Sequence, residues 1–117
     1  MDKKDLERRT KQFALKVIRF VATLPKNRIG DIITYQLVKA ATSVGANYRE
    51  ANRAQSRADF IHKLAVVEKE SSESQYWLEL CEGALLGDRD QLTWLIQEAD
   101  ELLSIFVSSG RTAKSRR

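Results

Sequence analysis

Thr42-Ser43-Val44-Gly45-Ala46-Asn47-Tyr48-Arg49-Glu50-Ala51 sets Val44, Tyr48 and Ala51 at the i, i+4, i+7 spacing of one helical face, with Gly45 and Ala46 beside them. Glycine inside a helix costs about 1 kcal/mol relative to alanine, so its presence here calls for a reason. With Ala41, Gly45 and Ala46 the chain offers a neighbouring helix a close approach. Working back, Ile29, Ile33, Leu37, Ala40 and Ala41 continue the same stripe, which predicts a helix that follows a turn through Asn27 and ends near Asn52.

The flanking segments read the same way. Leu6, Phe13, Val17, Phe20, Val21 and Leu24 share one side of a preceding helix, while Lys4, Arg8, Lys11 and Arg19 share the other, and Pro25 closes it. On the far side, Ser56 and Asp59 have the spacing of a capping box before Phe60 and Ile61. The third helix then carries a core stripe of Phe60, Leu64, Val67, Ser71, Ser74, Leu78, Cys81 and Leu85. Val66, Trp77, Leu80 and Ala84 form a second apolar face, more than a lone bundle helix needs, and point to a subunit interface. Gly87 and Asp88 to Asp90 read as a stop and a new start, after which Leu92, Leu95, Ile96, Ala99, Leu102, Leu103, Phe106 and Val107 supply a fourth helix ended by Gly110. Short connections force sequential neighbours to pack antiparallel, so the expected fold is an all-α, up-down-up-down four-helix bundle over residues 1–110. Residues 111–117, with Arg111, Lys114, Arg116 and Arg117 and no large apolar side chain, are expected to be a disordered basic tail.

Composition agrees. A chain of 117 residues with 43% hydrophobic and 31% charged residues, one proline and five glycines fits one helical domain. A single cysteine, Cys81, forms no intrachain disulfide, and no signal peptide or membrane-length apolar run is present, so a cytoplasmic location is expected. The formal charge of +4 favours an anionic partner.

Read together, the stretch from Thr42 to Ala51, the block Ser56-Arg57-Ala58-Asp59-Phe60-Ile61-His62-Lys63 and the block Tyr76-Trp77-Leu78-Glu79-Leu80 resemble the intervening-sequence (23S rRNA insertion) protein family. That family's members also look like the accessory subunit of diversity-generating retroelements. The likeness spans about Phe13 to Phe106 and implies the same bundle, assembled as a pentameric ring, with no agreed activity.

The residues argue against catalysis. A di-iron bundle needs carboxylates from two helices and a Glu-x-x-His pair from each of the others, whereas this chain has one histidine, His62, in Asp59-x-x-His62. Cys81 lies on the core stripe without a nearby base, and no glycine-rich phosphate loop follows a strand. No enzyme, metal or other cofactor is therefore expected. Asn47, Glu50, Glu70 and Glu73 are read as structural polar residues, with Arg49, Arg53 and Arg57 as candidate partners. The basic residues carry the functional expectation: Lys4, Arg8, Lys11 and Arg19 on the first helix, Arg49, Arg53 and Arg57 near the second connection, and Arg111, Lys114, Arg116 and Arg117 in the tail. Such a set would hold RNA or DNA by its phosphates, with little base specificity. The alternative is a scaffold that docks a protein such as a reverse transcriptase and has no direct nucleic-acid role, since an acidic protein face also prefers basic residues.

Overall fold

Every helix of the protein begins at a short polar side chain that accepts from an otherwise unpaired first-turn amide. In the computed structural model, which describes residues 1–116, Asp2 caps α1 (Lys3–Val21), Asn27 caps α2 (Arg28–Asn52), Ser56 caps α3 (Arg57–Gly83) and Asp88 caps α4 (Arg89–Ser115). Asp2 and Asp5 form a full capping box. At α3 the box is incomplete: Ser56 Oγ accepts from the Asp59 amide at 3.1 Å, but Asp59 accepts from Gln55 rather than from Ser56.

Each helix packs against its neighbour in sequence, and α1 closes the ring of four against α4, giving the antiparallel four-helix bundle, 47 Å long and about 22 Å across. The axis is filled by Phe13, Val17, Phe20, Leu37, Val44, Leu64, Leu78, Leu95, Leu102 and Phe106. Tyr48 and Phe106 meet across the centre at 5.4 Å between ring centroids. Gly45 lies against α1: a Cβ there would stand 3.2 Å from Thr10 Oγ1, so the small residue sets the α1–α2 separation. Thr10 is itself fully buried and satisfies its hydroxyl on the Leu6 and Glu7 carbonyls.

Three boundaries differ from the sequence reading. Ile29 is 58% exposed, and the buried position in the first turn of α2 is Gly30, whose missing side chain makes room for the Pro25 carbonyl. Leu85 does not extend the α3 stripe. It lies beyond the helix end in the left-handed region (φ 58°) and is 77% exposed, while Leu86 turns inward to the core. Gly110 does not end α4, which continues to Ser115. Residues 111–115 contain no proline, and the Arg57 guanidinium donates to the Ala113 carbonyl at 3.1 Å, tying that last turn to the start of α3. The expected disordered tail is thus helical through Ser115, and Arg117 lies outside the described residues.

Candidate nucleic-acid interface

Antiparallel packing gathers the start of α1, the end of α2, the start of α3 and the end of α4 at one end of the rod. Segments 1–11, 47–63 and 106–116 carry 12 of the 20 Lys and Arg but 5 of the 16 Asp and Glu, net +7, whereas the segments between them carry 7 and 11, net −4. Lys4, Arg8, Lys11, Arg49, Arg53, Arg57, Arg111, Lys114 and Arg116 all lie in the basic end, and all are exposed. Arg19 does not join them. It stands eleven residues from Arg8 along α1, roughly 17 Å at 1.5 Å per residue.

Several of these cations have local partners. Arg8 pairs with Asp5, Arg49 Nε lies 3.9 Å from Glu7 Oε1, and Lys63 Nζ lies 3.5 Å from Asp59. Lys4, Lys11, Arg53, Arg111, Lys114 and Arg116 form no ion pair among the described residues. Between the start of α3 and the end of α4, a cleft of about 450 Å³ is lined by Arg57, Phe60, Ser108, Ser109, Thr112, Ala113 and Arg116. Lys3 Nζ approaches the Phe60 ring to 5.9 Å from its centroid. Cations, hydroxyls and a half-buried ring in one open cleft suit an anionic ligand with an apolar part.

The polar residues read as structural find other partners than those expected. Asn47 donates to the Ser43 carbonyl within its own helix at 2.8 Å, and Glu50 is exposed without a side-chain partner among the described residues. Arg49 and Asn52 turn to Glu7 on α1, with Asn52 Nδ2 2.9 Å from Glu7 Oε2. Glu70 and Glu73 are half-buried neighbours on α3; burial pushes the Glu70 carboxyl above its ordinary range, and the charge of Glu73 adds to the shift.

The second face of α3 is present as a surface. Val66 and Trp77 are half-buried, Leu80 is exposed and Ala84 forms the exposed C-cap. α2 packs against α3, and Ile32, Tyr35 and Lys39 share one exposed side of α2, with Lys39 near enough to Glu70 for its charge to act on that carboxyl. Ile32 and Tyr35 are exposed, as is Tyr76, whose ring meets Trp77 edge-on at 5.4 Å. The result is an apolar and aromatic surface shared by α2 and α3.

Sequence reasoning missed the principal ion pair. Arg9 of α1 grips Glu98 of α4 side-on through one guanidinium edge, Nε to Oε2 at 2.7 Å and Nη2 to Oε1 at 2.8 Å, and reaches Glu101 at 2.8 Å. These hydrogen bonds push the Arg9 guanidinium still further above its usual range. The signal was available: Arg9 sits between Leu6 and Phe13, and Glu98 between Leu95 and Leu102, so opposite charges interrupt two core stripes. His62 is exposed, and no group of three metal-ligating side chains occurs among the described residues. No helix there is long and apolar enough to cross a membrane.

Comparison with known proteins places this geometry. A family model described as 23S rRNA-intervening sequence protein matches residues 3–108. A solved structure of a protein with unknown function from the S23 ribosomal protein family of Bacteroides thetaiotaomicron is 32% identical, with TM-score 0.84 over 95% of this chain and 99% of that one. No curated protein matches the chain.

Proposed function

The chain belongs to the 23S rRNA-intervening sequence protein family, and from that premise we propose that it is a non-enzymatic, cytoplasmic protein that binds RNA or DNA through its basic end as an assembly of several copies. The observation that carries this reading is the segregation of charge. The fold draws cations from three separate segments into one net +7 end and leaves the rest of the described chain at −4. A polyanion that covers this end displaces its own counterions, which yields affinity without base readout. Six of the cations have no carboxylate partner among the described residues to compete with phosphate.

Assembly rests on the α2–α3 surface. Large exposed side chains such as Tyr35, Tyr76 and Ile32 beside Trp77 and Leu80 make a patch of the kind that monomers rarely expose. The family resemblance favours a pentamer. The same aromatic surface supports the second reading, in which the protein docks another protein and has no direct nucleic-acid role.

Titration of the protein with labelled single-stranded RNA, structured RNA and duplex DNA at two salt concentrations, with its mass measured in the same buffer, separates the two. The proposal expects salt-sensitive binding by an oligomer. Replacing Arg53 and Arg116 by Gln is expected to lower the slope of log K against log salt by roughly 0.7–0.9 per lost phosphate contact. An oligomer that binds none of the three nucleic acids would sink the binding reading in favour of the scaffold.

A further inference from the structure

We propose that the seam between α1 and α4 holds a base-stacking site for a single nucleic-acid strand, with Trp94 as the platform and Lys16 and Arg19 as phosphate contacts. The inference rests on the nucleic-acid reading above but concerns a different surface. Trp94 is 39% exposed, on the outside of a helix whose Leu92, Leu95, Leu102 and Phe106 face the core. Tryptophan normally contributes its large area to a core or an interface, so an open indole calls for a ligand.

Its surroundings specify the ligand's chemistry. Lys16 Nζ stands 4.4 Å from the Trp94 ring centroid, and Lys16, Arg19, Gln91 and Leu95 complete a groove of about 140 Å³ around the ring. That space suits one flat ring system laid on the indole. Lys16 covers one indole face and forms no ion pair among the described residues, nor does Arg19, so a stacked base would take the place of Lys16 and both cations would turn to its flanking phosphates. Glu98 and Glu101, on the same seam, are already engaged by Arg9; the nearest other carboxylate in sequence is exposed Asp90, one turn before Trp94. Gln91 supplies an amide that can both donate to and accept from a base edge.

Position links the groove to the basic end. Arg8 and Arg19 are eleven residues apart, close to three whole turns, and so share one side of α1. A strand anchored by phosphates at the basic end can follow that side to Trp94, where an unpaired base stacks. Duplex DNA, whose bases are already stacked, gains nothing there. This accounts for the position of Arg19, which lies too far away to serve the basic end itself.

The test compares a short, unstructured oligouridylate with duplex DNA, using Trp fluorescence and direct binding. Oligouridylate is expected to quench the emission of the wild-type protein. Trp94→Leu is expected to weaken oligouridylate binding roughly 5- to 100-fold while duplex binding holds, and Trp94→Phe to retain most of the affinity. If Trp94→Leu is less stable, Lys16→Gln with Arg19→Gln provides the second readout, lowering the single-strand salt slope by about 1.4. If Trp94→Leu and the Lys16/Arg19 variant bind oligouridylate as the wild type does, while the Arg53/Arg116 variant loses it, the stacking site is wrong and the basic end stands. A wild-type protein that binds neither nucleic acid overturns both.

Discussion

Replacing Arg9 by Met would leave Glu98 desolvated, with its two short hydrogen bonds gone. The Glu98 side chain is 11% exposed and that of Arg9 23%, so water only partly replaces the lost guanidinium. An orphaned carboxylate at that depth costs about 2–4 kcal/mol, a large share of the roughly 5–15 kcal/mol that holds a typical domain folded. Glu101, whose side chain is 66% exposed, should matter far less, so Glu101→Gln is expected to cost under about 1 kcal/mol. The double change Arg9→Met with Glu98→Met removes the charge together with its partner and is expected to recover more than half of the single loss. Urea denaturation at one fixed protein concentration reads all three. With a slope of about 1–3 kcal/mol per molar, Arg9→Met should move the midpoint down by about 0.7 M or more. The reasoning is refuted if Arg9→Met lies within about 0.5 kcal/mol of the parent, or if Glu101→Gln costs as much as Arg9→Met.

Three further outcomes follow from single positions. Gly30→Ala would place a Cβ 1.8 Å from the Pro25 carbonyl oxygen, so it is expected to lower stability by about 2–4 kcal/mol, whereas Gly83→Ala, with nothing within 4 Å, should be neutral or slightly stabilising in the same melt. Burial raises the Cys81 thiol to about 11, so the native protein keeps its proton while the unfolded chain loses it above about pH 9. Stability should therefore fall between pH 9 and 11 by up to about 1.4 kcal/mol per unit, Cys81→Ala should flatten that fall, and the thiol should resist alkylation at pH 8 until the protein unfolds. Glu70 binds its proton more tightly folded than unfolded, so its contribution is lost as pH rises through the raised folded value; Glu70→Gln should be more stable than the parent at pH 7 and lose that advantage in acid.

The bundle was legible because its signals are periodic and local. Val44, Tyr48 and Ala51, or Leu64, Val67, Leu78 and Cys81, announce their faces by spacing alone, and the structure buries all of them. Gly45 was legible for the same reason, since a glycine amid core positions has few uses other than close approach. Errors arose where period does not decide. Ile29 and Gly30 lie four and three residues before Ile33, so both fit the stripe, and the choice falls to the backbone of Pro25 from the preceding turn. Leu85 continues the arithmetic of α3 but follows its last turn, where the chain must reverse. The basic residues were visible as three separate groups; their convergence, and the exclusion of Arg19, depends on which helix ends share a pole. Arg9 and Glu98 lie 89 positions apart, and only packing joins them.

The unequal distribution of charge along the 47 Å rod makes each molecule an electric dipole with a strongly positive head. Copies joined side by side in the same orientation through α2 and α3 would crowd those heads onto one rim. Their mutual repulsion is screened over about 10 Å at 0.1 M salt and reaches much further in dilute buffer. Such an assembly would resist closing at low ionic strength, and a polyanion laid across the rim would relieve the strain. Ligand and assembly would then favour each other by the same factor in both directions.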